Sequence, residues 1–95
     1  MARIRITPQT MRRRAKEYRD ERDRVNNVIK TMDSLLETLQ QEWEGEATQA
    51  YVRRFGEVRP AFVDAAKLID EINIALQNTA KTLEQTDQAI ANTFH

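Results

Sequence analysis

From Met11 onward the apolar residues fall at positions 11, 15, 18, 25, 29, 32, 36, 39 and 43, alternating four and three apart. The one break is Arg22, which occupies the slot where the next apolar residue belongs. This spacing keeps one side of an α-helix apolar and predicts a heptad seam carrying Tyr18, Val25, Ile29, Met32, Leu36 and Leu39. Val28 and Leu35 fall beside the seam and widen it into the stripe of a bundle helix. The helix start is read at Thr7-Pro8, where a hydroxyl able to accept a backbone N–H precedes a proline whose fixed φ suits the first helical turn. A second run reads Tyr51, Phe55, Val58, Phe62, Ala65, Ile69, Ile72, Leu76, Thr79, Leu83, Thr86 and Ile90 with the same alternation.

Between the runs stands Glu42-Trp43-Glu44-Gly45, with the only glycine in residues 9–55. A glycine that adopts the left-handed conformation ends helices, so a tight turn is expected at or beside Gly45. The predicted organisation is one all-α domain, with helices over about 8–42 and 46–93 joined by a turn at 43–45. Pro60 interrupts the second run. It cannot donate to the carbonyl of Gly56 and its ring crowds that group, so the segment either kinks at 56–60 or divides into two helices. The apolar phase runs through Pro60 unchanged, which favours the kink.

At about 1.5 Å per residue the two helices span on the order of 50 and 70 Å. A hairpin of such helices leaves the last dozen or so residues of the second without a partner. Two helices side by side also cover only part of stripes this wide, so Tyr18, Val28, Leu35 and Phe62 are expected half exposed. A contiguous apolar strip of that length is normally an interface.

The 15 basic and 15 acidic residues cancel, which removes bulk charge as an argument for nucleic-acid binding or for disorder. The neutral sum hides a gradient. Residues 1–24 hold nine basic and four acidic groups, net +5; residues 25–50 hold Lys30 against five acids, net −4. Basic residues near the start of a helix and acids near its end oppose the helix macrodipole, so a compensating partner is expected. Two hairpins packed antiparallel bring the basic end of one chain to the acidic turn of the other.

The chemistry-bearing residues point to no reaction. There is no cysteine, and the single histidine is His95, so no thiol nucleophile, positioned base or cofactor-binding set is assembled. No inward Glu-x-x-His pair suggests a di-metal bundle. Arg12, Arg13, Arg14 and Lys16 are followed at once by Glu17, Asp20, Glu21 and Asp23, which argues against a nucleic-acid patch. The aromatic residues lie at or near seam positions and read as core. No 7–15-residue apolar run follows the first charges, so no Sec-type signal peptide is expected, nor any stretch long enough to span a membrane.

Trp43-Glu44-Gly45 at a mid-chain helix turn, in about 95 cysteine-free residues, resembles the small WXG-motif, ESAT-6-like substrates of type VII (ESX) secretion. The resemblance extends to the tail. Leu83, Asp87, Ile90 and Phe94 are similar to that family's C-terminal pattern of a hydrophobic residue, an acid four later, and hydrophobics three and four further on. No tyrosine follows Tyr51, so the tail departs from the tyrosine-bearing signal of actinobacterial members and is closer to the Firmicutes branch.

The resemblance implies a secreted, virulence-associated, non-enzymatic helical hairpin without cofactor or metal, paired with a second copy as an antiparallel four-helix bundle. A sibling WXG protein is the alternative partner. It further implies that Trp43 and Gly45 shape the turn and that Leu83, Asp87, Ile90 and Phe94 contribute to recognition by the secretion ATPase. Val25, Val28, Ile29, Met32, Leu36, Leu39, Phe55, Val58, Phe62, Ile69, Ile72 and Leu76, with Tyr18, are the expected core or dimer contacts. A cytosolic adaptor or chaperone holding partners through the same apolar strip is the rival reading.

Overall fold

A computed structural model of the chain describes the backbone of residues 5–93 and the side chains of residues 5–87. Two helices, α1 (Pro8–Glu42) and α2 (Glu46–Thr93), fold back on each other as an antiparallel hairpin, with no strand among the described residues. The rod measures 75 × 24 × 16 Å.

The helix start follows the local chemistry. Thr7 is the N-cap, with extended φ/ψ of −75°/160°, and its hydroxyl accepts the N–H of Thr10 at 3.1 Å. Pro8 takes the first helical position, where its missing N–H costs nothing. The turn differs from expectation. Gly45 is not a left-handed cap, since no glycine among the described residues has positive φ. Instead α1 ends on Trp43, extended at φ −138° and ψ 97°, whose N–H still donates to Leu39 O at 2.8 Å. Gly45 opens the second helix, its carbonyl accepting the N–H of Gln49 at 3.3 Å. A Cβ on Gly45 would meet Trp43 Nε1 at 3.7 Å, an ordinary contact, so the indole lies against the glycine backbone.

α2 is one helix that runs through Pro60 without a break, so the three-helix alternative is excluded. Among the described residues the last ion pair across the hairpin, Arg12 with Glu84, lies nine residues before the end of α2 at Thr93.

The core between the helices is a narrow line. On α1 it runs through Met11, Ala15, Arg22, Val25, Ile29, Met32, Leu36 and Leu39, of which Met11, Ala15 and Ile29 are buried. On α2 the buried residues are Thr48, Ala66, Asn73 and Ala80, joined by half-buried Val52, Phe55, Ile69, Leu76 and Leu83. This corrects the seam read from the sequence. The positions 55, 62, 69, 76 and 83 are shared, but the line they alternate with is 52, 59, 66, 73 and 80. Of the residues one place to the side, Tyr51 and Ala65 are exposed, whereas Val58, Ile72 and Thr79 are half-buried as Val52 is, and Arg59 on the line is exposed. Small residues such as Ala66 and Ala80 on the seam let the two helices approach closely.

Two aromatic residues read as core are corrected: Trp43 and Tyr51 are 48% and 61% exposed, whereas Phe55 is the most covered aromatic among the described residues, its ring centroid 6.3 Å from that of Phe62. The half exposure expected for Tyr18, Val28, Leu35 and Phe62 is observed.

Ile29 is the largest fully aliphatic side chain in the buried set. Ile29→Ala is therefore expected to lower unfolding free energy by about 2–5 kcal/mol, read as a shift in the urea midpoint with the slope unchanged.

Candidate functional site

The heptad places the remaining side chains on two edges of the hairpin. With 15, 22, 29, 36 and 43 lettered a and 11, 18, 25, 32 and 39 lettered d on α1, the corresponding α2 positions are 52, 59, 66, 73 and 80 for a and 48, 55, 62, 69, 76 and 83 for d. In an antiparallel pair the e positions of both helices flank one edge and the g positions the other.

The e edge is charged and tied across. Arg12 holds Glu84 through both guanidinium nitrogens, with Nη2 to Oε2 at 3.0 Å. Arg59 holds Asp33 through Nε and Nη2 at 3.2 and 2.9 Å. Between them Arg22, the polar residue in the apolar seam, donates through Nη1 to Asp70 Oδ1 at 2.5 Å and through Nε and Nη2 to its neighbour Asp23. Asn73, buried in the α2 seam, donates to the same Asp70 oxygen at 3.2 Å and accepts from Gln77 Nε2 at 2.6 Å. The seam thus contains one satisfied polar layer, a feature that fixes helix register because every shifted alignment leaves these groups unpaired. The pairs also offset in part the unfavourable placement of basic residues at the start of α1.

The g edge is apolar in its middle. Val28 and Leu35 of α1 are 49% and 58% exposed and face the α2 flank of Tyr51, Val58, Ala65 and Ile72, with Leu68 next to it at 57%. Arg14 and Glu21 at one end and Glu42 at the other rim this patch. A hollow lined by Met32, Leu36, Leu39, Tyr51, Phe55 and Val58, with Arg54 at its wall, opens on this side, whereas the hollow beside Asp33, Gln40, Gly56 and Arg59 opens on the charged side. One edge is therefore closed by ion pairs and the other is an apolar surface without a covering element.

At the tip stands Trp43, the only tryptophan, 48% exposed beside exposed Glu42, Glu44 and Glu46. Of the tail residues singled out by sequence, Leu83 is half-buried and Asp87 exposed; the side chain of Ile90 and all of Phe94 lie outside the described residues, as does His95. Trp43 and the tail are at opposite ends of one chain, so the hairpin does not bring them together. Among the described residues no group of acids or histidines is placed to hold a metal ion, and no helix is long and apolar enough to cross a membrane.

Sequence reasoning did not find the polar layer of Asp70, Asn73 and Gln77 or the pairs of Arg12 and Arg59. The signal was present in Arg22, since a charge in a seam slot requires an acid at the matching height of the returning helix.

The described chain matches the family model for proteins of 100 residues with WXG, WXG100, over residues 3–88. It is 36% identical over 89 residues to protein YukE of Bacillus subtilis, covering 94% of this chain and 92% of that protein. It is 26% identical over 94 residues to type VII secretion system extracellular protein A of Staphylococcus aureus, covering 99% and 97%. Among solved structures it is similar to EsxA of Geobacillus thermodenitrificans, with a TM-score of 0.89 at 38% identity, covering 96% of this chain and 98% of that one.

The hydrogen bonds of Asn73 and Arg22 hold the Asp70 carboxyl below its ordinary range, and Arg12 does the same for Glu84. A carboxyl with lowered pKa in the folded state stabilises above its unfolded pKa, and that contribution is lost as pH falls through the folded value. Asp70→Asn is accordingly expected to reduce urea resistance at neutral pH, with the difference from the parent fading below about pH 4. A difference that is the same at pH 3 and pH 7 would show that the charge of Asp70 is not the source.

Proposed function

The chain belongs to the WXG100 family, and on that premise we propose that it is a non-enzymatic protein exported by a type VII secretion system as an antiparallel homodimer. The observation that carries the reading is the division of the hairpin into a tied, charged edge and an uncovered apolar one, with a half-exposed Trp43 at the tip. A second copy covers the apolar edge and buries Val28, Leu35, Val58 and Leu68, completing a four-helix bundle. The basic start of one chain then lies beside the acidic turn of the other, and this complementarity favours the antiparallel alignment.

Export is read from surface chemistry. The indole of Trp43, lying against Gly45, presents a flat apolar face at the end of the bundle. Antiparallel pairing brings the tail of the twin, with Leu83 and Asp87, to the same end, so one composite surface is offered to the secretion ATPase; Ile90 and Phe94 join it through the family's tail pattern alone. Support comes from the relative named an extracellular protein of type VII secretion. In this reading the protein functions outside the cell without enzymatic activity of its own.

Two experiments test it. Trp43→Ala and Asp87→Ala each remove an exposed side chain and are expected to abolish appearance in the culture supernatant while helix content and dimer mass stay as in the parent. Normal supernatant levels of both variants would sink the composite recognition surface, whereas a parent chain that stays in the lysate when a type VII ATPase is expressed would favour a cytosolic adaptor. The purified chain is expected near twice its 11.1 kDa mass, and Leu35→Glu, which places a charge in the centre of the apolar edge, shifts it to the monomer.

A further inference from the structure

We propose that Tyr18 of each copy seats in the apolar hollow between α1 and α2 of a second copy of this chain, with the two Val28 residues meeting on the twofold axis. The inference rests on the antiparallel pairing proposed above and names its register and its anchor.

The hollow and the side chain that fills it lie on the same face. Around a heptad helix d is adjacent to g, so Tyr18, a d residue, leans toward the apolar edge. It is exposed there, in a shallow depression shared with Arg14, Glu17, Glu21 and Arg24. The hollow between Met32, Leu36 and Leu39 of α1 and Tyr51, Phe55 and Val58 of α2 holds about 340 Å³, more than an aromatic ring requires. Within one chain the two cannot meet, since Tyr18 and Leu36 stand about 27 Å apart along α1.

Symmetry decides which helix covers which. A twofold axis that joins equal faces and reverses the rod stacks α1 on the α1 of the twin and α2 on its α2. The g positions of α1 then face one another in registers that differ by whole heptads. With Val28 on the axis, Arg14 comes level with Glu42 of the twin, and the contact is repeated at the other end. A shift of one heptad sets Glu21 against Val28 and Arg14 against Leu35, with no ionic contact. The opposite shift sets Val28 against Leu35 but Glu42 against Glu21, and carries Tyr18 past the end of α1 to the height of Gly45. In the central register Glu21 alone meets an apolar residue, Leu35, and it keeps Arg24 as its partner at 2.7 Å. Arg14 exchanges its exposed bond to Glu17 for Glu42 of the twin, an exchange that costs little.

α2 selects the same register independently. The pairs of Arg22 with Asp70 and of Arg59 with Asp33 put Ala65 close to the height of Val28. With Ala65 on the axis, Val58 of each copy opposes Ile72 of the other. Tyr18 of the twin then comes level with Thr38, within the stretch from Met32 to Leu39 that walls the hollow. Its ring packs on Leu36, Leu39 and Phe55, and the guanidinium of Arg54 at the wall adds cation–π attraction.

The chain has no cysteine, so introduced thiols report the register. Val28→Cys is expected to give covalent dimers with a short bismaleimide, whereas a shift of one heptad would move the two copies about 10 Å apart along the rod. Arg14→Cys and Glu42→Cys link copies only when the chain carries both. Tyr18→Ala weakens dimerisation about a hundredfold, the contact being made twice, with helix content as in the parent; Tyr18→Phe keeps the parent affinity. Arg14→Glu weakens it about tenfold, and Glu42→Arg in the same chain restores it. A native dimer in which Val28→Cys stays unlinked and the exchanged charges fail to restore affinity overturns this register and leaves the pairing of copies standing. A linked Val28→Cys dimer together with parent affinity in Tyr18→Ala overturns the seat of Tyr18. A native monomer, which leaves the hollow to a different partner, overturns the pairing and this contact together.

Discussion

Two helices lying side by side bury one line of side chains from each, and the identity of that line controls everything else in this protein. On α2 the line runs through Ala66, Asn73 and Ala80, and on α1 through Ala15 and Ile29. Small residues there allow a close approach, and larger apolar side chains such as Ile29, Leu36 and Leu76 fill the rest of the seam. The apolar side chains beyond that line, Val28, Leu35, Tyr51 and Leu68 among them, stand on one flank, where a pair of helices has nothing to cover them. The hydrophobic effect scales with apolar area removed from water, so a hairpin built this way retains a driving force for association after it has folded.

The ion pairs decide on which flank that force acts. Arg12 with Glu84, Arg22 with Asp70 and Arg59 with Asp33 all close the same edge, at three heights along the rod. Exposed pairs of this kind add little stability individually, but they occupy the edge with charge and leave the opposite one apolar. Arg22 has an additional role, because it replaces an apolar seam residue by a group with a single matching partner, and that partner is itself positioned by buried Asn73. Register is therefore specified by a polar layer and affinity by apolar contact, a division of labour common in paired helices.

The turn follows from the same geometry. Residue 43 continues the α1 seam, but α2 begins at Glu46 and offers no helical turn at that height, so the indole has only the Gly45 backbone beneath it and remains half in solvent. A tryptophan that finishes a seam at the end of a rod is exposed by construction. Gly45 lies against the ring, where a Cβ would make an ordinary contact with the indole nitrogen, and no unusual backbone angle is involved. The acids around it have no ion-pair partner among the described residues: the basic residues of α1 cluster near its start, and Arg54, close to the turn, pairs with Glu57 instead.

Much was legible from residue order. The Thr7-Pro8 cap, the turn at Trp43-Glu44-Gly45, the hairpin and the excess width of the apolar stripe are local or periodic features, and period and capping chemistry are written directly in the chain. The choice between neighbouring lines on α2 was not. Tyr51 and Ala65 continue the alternation of four and three and so read as seam, whereas packing buries Ala66, Asn73 and Ala80 and half-buries Val52, Val58 and Ile72, with Asn73 providing the polar partner to Asp70. Hydrophobicity ranks residues by their aversion to water; only the distance between two helix axes ranks them by fit. The sequence by itself thus determined that two amphipathic helices would pair and that some apolar surface would remain, and the tertiary structure alone decided which surface, because that depends on interhelical spacing and on ion pairs between residues up to 72 positions apart.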